Sequence, residues 1–273
     1  MNFRVRYAVI ATVGSLLLLA APRPAASQDK SAPPKPVARL ADGHPDLNGL
    51  WGGGSRAGED TYTVKVGDHL EIHANEHRPP HKVTAAQRKA VNPPPYKPEL
   101  LAKVAQLDEQ ENKLDPIAHC RPAGFVRVGP PVEIVQATGR VVFFYEQEDE
   151  NFYRIIPTDG RPHDPDADPS YNGDSVGHWQ GDTLVVDTVN FNDDTWLGLD
   201  GWFHSTAMHV TERISRDADG LHYQATVEDP NVFTKPWVMT ARVSNPSKNE
   251  IIENAPCADS EFDSQHLVNG DHL

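Results

Sequence analysis

Apolar and polar residues alternate with a period of two along most of the second half of the chain, the pattern of strands with one buried face. The clearest case is residues 183–191, which follow residues 175–179 across the turn Gln180-Gly181-Asp182. Glycine permits the positive φ that a short hairpin loop needs. Further β-rich runs, each bounded by turn residues, cover residues 64–72, 132–136, 140–145, 151–156, 208–216, 221–228, 237–243 and 251–253. Serial hairpins of this kind predict a mainly β fold, an antiparallel meander that closes into a barrel.

One segment has helical spacing instead. Four apolar residues fall on one stripe of a helix: Leu100, Leu101, Val104 and Leu107. Pro98 precedes them, and proline is tolerated at the first helical position because its missing N–H would be unpaired there anyway. The pattern predicts a helical insertion over residues 98–114 that packs on the barrel. Two Pro-rich stretches, residues 79–97 and 158–173, predict long irregular loops.

The N-terminal pattern is that of an export signal. Arg4 and Arg6 precede an apolar run at residues 8–21, and a small-residue cleavage pattern follows at residues 25–27. The run is too short for a membrane span. We therefore expect a signal peptide over residues 1–27 and a secreted or periplasmic location.

The remaining chain divides into two parts. Residues 28–46 are rich in Pro, Ala and Lys and predict an extended leader. Residues 47–273 contain the predicted strands and helix and are expected to form a single β-barrel domain.

Net charge narrows the classes of partner. The formal net charge is −14, and it becomes −17 after cleavage because the signal peptide carries three arginines and no acid. So acidic a chain argues against nucleic acid and anionic membranes as partners and favours a small, neutral or cationic ligand. The only two cysteines, Cys120 and Cys257, either pair in an oxidising compartment or remain isolated buried thiols.

Three ionisable residues fall on otherwise apolar strand faces: Asp187, Glu212 and Arg154. A buried charge is costly unless it is paired, so we expect these three to meet inside the barrel. One interpretation is a buried ion network that fixes strand register. The other is a polar site in an apolar pocket, where a desolvated acid has a raised pKa and acts as a general acid or base.

Histidines lie near these acids in the predicted meander. His204 is in phase with Glu212, and His163 and His178 lie in loop and strand-end positions, so they are candidate proton shuttles. Their spacing matches no metal motif, and we expect no cofactor; a divalent metal is the alternative.

Aromatic residues cluster around residues 192–201. Trp179, Trp196 and Trp202 either pack in the core or stack on a ligand ring at the barrel mouth.

Taken together, several motifs resemble a family of secreted bacterial proteins of unassigned function. They are Asp159-Gly160-Arg161-Pro162-His163, the run Gly181-Asp182-Thr183-Leu184-Val185-Val186-Asp187-Thr188, Thr211-Glu212-Arg213 and the two spaced cysteines. The resemblance implies a lipocalin-like barrel and no particular activity. Asp174 stands where the family has His and His178 where it has Arg, so if those positions belong to the site, this member is expected either to differ in substrate or to be inactive.

Two functional hypotheses follow. The first is an exported acid–base hydrolase or lyase acting on a small uncharged aromatic or glycosidic compound. Its catalytic residues would be Asp187, Glu212, His204 and His163, and its substrate-binding residues would be Arg154, Arg161, Trp179, Trp196 and Trp202. The alternative is a lipocalin-like carrier that binds a small molecule without turnover.

Overall fold

The structure is a computed structural model that describes residues 37–52, 62–66, 69–73, 92–147, 151–198 and 200–253. These residues belong to one compact unit, Lys35–Leu273. The expected signal peptide and the first part of the expected leader lie outside the described residues, and both stay predictions.

Strands make up most of the regular structure. They are β1 (Gly49–Leu50), β2 (Tyr62–Val66), β3 (His69–His73), β4 (Glu133–Ala137), β5 (Arg140–Tyr145), β6 (Phe152–Pro157), β7 (Asp174–Gln180), β8 (Thr183–Val189), β9 (His209–Arg216), β10 (Leu221–Glu228), β11 (Trp237–Val238) and β12 (Arg242–Ser244). The β5 and β10 strands cover the same residues as the predicted runs. The run at residues 237–243 divides into β11 and β12, and residues 251–253 form no strand.

These strands form two sheets. The smaller sheet has the order β1-β4-β5-β6, and the larger has the order β2-β3-β12-β10-β9-β8-β7, with β11 also paired to β10. Neighbours are antiparallel except for the parallel pair β3 and β12. The mainly β, antiparallel fold is therefore confirmed. Within the described residues the sheets do not close into a barrel, so a closed lipocalin-like barrel stays a prediction.

The two sheets approach each other along two lines. At β6 and β7, Gly177 leaves space for Ile156, since a Cβ added at this glycine would lie 2.9 Å from Ile156 Cγ2. Beyond β1, Trp51 forms an isolated bridge with Pro246, the second residue after β12. The inner faces of both sheets therefore border one shared core.

Helices occupy the connection before β4. The 3-10 helix Pro98–Leu100 leads into α1 (Leu101–Glu109), which is followed by α2 (Glu111–Leu114), the 3-10 helix Pro116–His119 and α3 (Phe125–Val128). This arrangement agrees with the predicted helical insertion. Leu100, Val104 and Leu107 pack against the core, whereas Leu101 is 54% exposed. None of the described helices combines the length and the apolar character needed to cross a membrane.

The core follows the alternation of β9 and β10. The buried residues on these strands are Val210, Glu212, Ile214, Leu221, Tyr223, Ala225 and Val227. The described fold includes residues before the expected start of the domain at residue 47. Arg39 bridges Pro45 in a tight turn and also pairs with Asp182 of the β7–β8 hairpin. The last ten residues of the expected leader are thus folded onto the sheet.

Candidate functional site

Asp187, near the end of β8, accepts hydrogen bonds from two imidazoles. His163 Nε2 lies 2.8 Å from Asp187 Oδ1, and His209 Nε2 lies 2.6 Å from Asp187 Oδ2. The other nitrogen of each ring also faces an acid. His163 Nδ1 lies 2.7 Å from Asp174 Oδ2, and His209 Nδ1 lies 3.4 Å from Glu228 Oε2. Carboxylate and imidazole alternate along these five side chains, which we call the Asp187 network.

Strand register brings most of the network together. Asp187 lies opposite Thr211 of β9. His209 is two residues before Thr211 on the same face of β9, so it is the diagonal neighbour of Asp187 and within side-chain reach. Glu228 of β10 lies directly opposite His209. The Pro-rich loop before β7 supplies His163, so one arm of the network depends on tertiary structure rather than on pairing within the sheet.

Hydrogen bonding sets the charge of the central groups. Partial burial alone would raise the pKa of Asp187, but the hydrogen bonds from His163 and His209 outweigh it and hold that pKa below 3.8. Partial burial alone would lower the pKa of His163, but its bonds to Asp187 and Asp174 outweigh burial and raise that pKa above 6.5. Asp187 is therefore ionised at neutral pH, and His163 is biased toward the imidazolium.

His209 has the geometry of a general base. Since Asp187 is ionised and can only accept, the His209 Nε2 atom carries the hydrogen, and in the neutral ring Nδ1 is the basic nitrogen. The distance of 3.4 Å between Nδ1 and Glu228 is too long for a close hydrogen bond, and the His209 side chain is 36% exposed. A carboxylate that orients a partly exposed imidazole is the arrangement that activates water or a hydroxyl group.

The expected meeting of Asp187 with Arg154 and Glu212 is wrong. Leu184, Val186 and Thr188 form the inner face of β8, and Asp187 lies on the opposite face. Two features prevent the sequence pattern from predicting the face on which Asp187 lies. Val185, on the same face as Asp187, is also buried, and Asn190 has a left-handed φ of 63°, which breaks the alternation before Phe191.

Arg154 and Glu212 do meet, as expected, in the core. Arg154 Nη2 lies 2.7 Å from Glu212 Oε2, with side chains 3% and 0% exposed. Arg154 also donates to the hydroxyls of Tyr145, Ser175 and Thr188 at 3.0, 2.9 and 3.0 Å.

Two aromatic residues complete this enclosure. The Tyr223 hydroxyl donates to Glu212 Oε1 at 3.1 Å, and the Arg154 guanidinium stacks 3.5 Å from the centre of the Phe125 ring. The pair is enclosed and multiply bonded, which favours a role in fixing the packing of the two sheets.

The other two candidate histidines lie elsewhere. His204 is buried, with Nε2 2.8 Å from Thr195 Oγ1 and Nδ1 3.1 Å from the Ser205 carbonyl oxygen. Nδ1 must donate to that carbonyl, so the neutral ring accepts from the threonine at Nε2. Burial lowers the pKa of His204, which matches this neutral state. His178 is exposed and lies 3.1 Å from the Gln180 side chain.

The expected substrate-binding residues are not gathered at one site. Trp179 stacks on His44 with ring centres 4.4 Å apart. Trp196 is buried in the core, and Trp202 packs edge-on against Trp237. Arg161 is exposed and paired with Asp159. Trp196 and Trp202 lie in the same loop, where Trp196 bridges Phe203, and all three tryptophans are engaged in packing.

Two further expectations concern metal and disulfide chemistry. Within the part of the chain that the structure describes, no group of three or more His, Cys, Asp or Glu side chains has the geometry of a metal site, and the divalent-metal alternative stays a prediction. Cys120 ends the 3-10 helix Pro116–His119, while Cys257 lies outside the described residues. Their pairing also stays a prediction.

Sequence interpretation missed His209 and Glu228. The sequence does contain a signal for His209. This residue precedes Val210 and so lies on the face of β9 opposite the apolar face, as Asp187 does on β8. Comparison with known proteins adds no family, because no family model, no curated protein and no solved structure matches the chain.

Proposed function

We propose that this protein is an exported acid–base enzyme, a hydrolase or lyase that acts on a small uncharged aromatic or glycosidic compound. The observation that supports this is the Asp187 carboxylate, which accepts from His163 and His209 on a partly exposed face. A partly buried, ionised carboxylate that is bonded to an imidazole orients the ring for proton transfer.

Each member of the network has a distinct role in this proposal. His209 Nδ1 removes a proton from water or from a substrate carbon or hydroxyl, and it later returns that proton to the leaving group. Asp187 holds the ring by accepting from Nε2 and stabilises the imidazolium that forms. His163, bonded to both Asp174 and Asp187, fixes the carboxylate and offsets its charge.

Glu212 and Arg154 are positioning residues in this proposal. Both are enclosed and already bonded to one another, so substrate cannot reach them without opening the core. Their part is to hold β6, β8 and β9 together behind the network.

A closed lipocalin-like barrel is the finer fold that we propose. Two contacts support it: Ser175 of β7 accepts from Arg154 of β6 at 2.9 Å, and Gly52 N donates to Asn245 O at 2.6 Å beside the Trp51 bridge. The first would join the outer strands β6 and β7, and the second would join the outer strand β1 to β12, the third strand of the larger sheet. In the alternative carrier function, the ligand would lie inside such a barrel rather than at the Asp187 network.

The test compares the wild-type protein with Asp187→Asn. Purified protein is incubated with para-nitrophenyl glycosides and esters, and with a bacterial metabolite extract analysed by mass spectrometry. We expect wild-type protein to consume at least one compound, and Asp187→Asn to reduce that rate by about a hundredfold or more. Asp182→Asn is the matched control, because it makes the same change in the same hairpin at an exposed ion pair with Arg39.

The outcomes separate the hypotheses. Equal turnover by Asp187→Asn and wild type would exclude the network as the catalytic site. Retention of an unconverted compound by wild type and by both variants would favour the carrier.

A further inference from the structure

The smaller sheet is apolar on both of its faces. Its inner face belongs to the core, where Ile134, Phe143 and Ile156 are fully enclosed. Side chains alternate across a strand, so the residues between these lie on the opposite, outer face. The apolar residues of β4, β5 and β6 on that face include Val135, Val142, Phe144, Tyr153 and Ile155, which we call the outer patch.

Strand register places the members of the outer patch side by side. Val135, Val142 and Ile155 lie directly opposite one another across the three strands and form one row. Phe144 lies opposite Tyr153 in the next row, with ring centres 6.2 Å apart. Tyr153 is 62% exposed, Ile155 49% and Val135 39%. A contiguous apolar surface on the outer side of an antiparallel sheet, where polar residues are usual, marks an interaction site.

Two charged residues stand at opposite ends of the outer patch. Glu133 lies opposite Phe144 on β5, and Arg140 lies opposite Ala137 on β4. Phe144 and Arg140 are about 13 Å apart along β5 at about 3.3 Å of rise per residue, so Glu133 and Arg140 cannot pair within one copy. Neither has an ion pair or a side-chain hydrogen bond with another of the described residues.

This balance of charge is unusual for so acidic a chain, which has 39 acidic and 25 basic residues. A second copy of the chain is repelled by most of this surface. The face that holds the outer patch has one acid and one base instead, and it therefore offers a second copy an apolar contact without net repulsion.

A two-fold axis along the row of Val135, Val142 and Ile155 makes this face complementary to itself. Sheets pack face to face about 10 Å apart with their strands nearly aligned, and each residue of the row then meets its own copy. The rotation reverses the strand direction, so the end that holds Glu133 faces the end that holds Arg140 of the second copy. Glu133 is then offset by one strand, about 4.8 Å, from that Arg140, within reach of the long arginine side chain.

We propose that the outer patch is the interface of a symmetric homodimer in which the smaller sheets of two copies pack face to face. The two unpaired charges favour a second copy as the occupant, because the symmetry that brings the apolar row together also brings each charge near its opposite. A face of this size is smaller than the about 800 Å² per partner that stable complexes bury, so the dimer dissociates on dilution. The interface lies on a different sheet from the Asp187 network, and it does not depend on the proposed catalytic function.

Sedimentation velocity of the purified protein over a wide range of concentration tests this proposal. We expect wild-type protein to shift from monomer to dimer as the concentration rises. Val135→Asp should weaken dimerisation at least tenfold, because it places two carboxylates against each other at the axis. Val238→Asp is the matched control, since it makes the same change at an exposed strand residue of the larger sheet, and it should dimerise as wild type does.

Charge reversal tests the two-fold arrangement itself. Glu133→Lys and Arg140→Glu should each weaken dimerisation several-fold, because each places like charges near one another. The double variant restores opposite charges at an unchanged net charge and should recover most of the lost affinity. Circular dichroism verifies that each variant is folded.

Three outcomes would overturn the proposal. In the first, wild-type protein stays monomeric at the highest concentration. In the second, Val135→Asp dimerises as well as Val238→Asp. In the third, the double charge variant dimerises no better than the two single variants.

Discussion

The Glu212 carboxylate and the Arg154 guanidinium join β9 of the larger sheet to β6 of the smaller one, 2.7 Å apart and almost fully enclosed. No strand pairing links β6 directly to β9. A buried pair of this kind contributes little net stability compared with an apolar pair, but loss of one partner leaves the other charge uncompensated. This contact therefore makes the packing of the two sheets sensitive to a single side chain.

Glu212→Gln should consequently destabilise the protein. We expect the free energy of unfolding to fall by about 3–5 kcal/mol, because Arg154 would stay buried without its counter-charge. Urea denaturation measures this loss. Arg213→Gln, at the next and exposed position, should change it by less than about 0.5 kcal/mol. A loss below about 1 kcal/mol for Glu212→Gln would contradict the structural role given to the pair.

The Asp187 network predicts a specific pH dependence of stability. Because the pKa of His163 is raised, its contribution is complete below pH 6.5 and is lost as pH rises through the raised value. Because the pKa of Asp187 is lowered, its contribution is complete above pH 3.8 and is lost as pH falls through the lowered value. The difference in unfolding free energy between wild type and Asp187→Asn should thus be largest between these two pH values.

Urea denaturation of both proteins from pH 3 to pH 9 measures this difference. Asp182→Asn again serves as the control, since Asp182 is paired with Arg39 and not with a histidine of the Asp187 network. If the difference in unfolding free energy stays constant through pH 6.5 and above, the bond to Asp187 does not raise the pKa of His163.

His204 predicts the opposite response to acid. Its pKa is lowered by burial, so the stability that depends on its neutral form is complete above pH 6.5 and is lost as pH falls through the lowered value. Nitrogen NMR should show Nδ1 protonated and Nε2 unprotonated at pH 7, since the ring donates to Ser205 and accepts from Thr195. A titration of His204 at or above pH 6.5 would contradict this environment.

The strands were predictable because their signal is local. The alternation of apolar and polar residues is sufficient to predict β5 and β10. Helical spacing of apolar residues is sufficient to predict α1. The Asp187 network was not predictable in the same way. Its face depends on the break at Asn190, and the contact with His209 depends on a register between two strands that are separated by residues 190–208. Partners across a sheet are fixed by register, which local patterning constrains only through which face is buried.

The last prediction concerns Gly129, whose missing Cβ leaves room for the Arg242 guanidinium. Alanine at this position would have to displace the Arg242 guanidinium and adopt a φ of 98° with a ψ of −138°, which residues with a Cβ rarely do, so we expect Gly129→Ala to lower the free energy of unfolding by about 2–4 kcal/mol. Gly160→Ala measures the cost of a positive φ without a collision, because Gly160 has a φ of 83° and no atom near its missing Cβ, and this variant should lose about 1–2 kcal/mol. If Gly129→Ala and Gly160→Ala are equally stable in urea, the guanidinium does not lie against residue 129. A larger loss at Gly129 is the expected result, because its backbone conformation disfavours residues with a Cβ and its missing Cβ leaves room for the guanidinium.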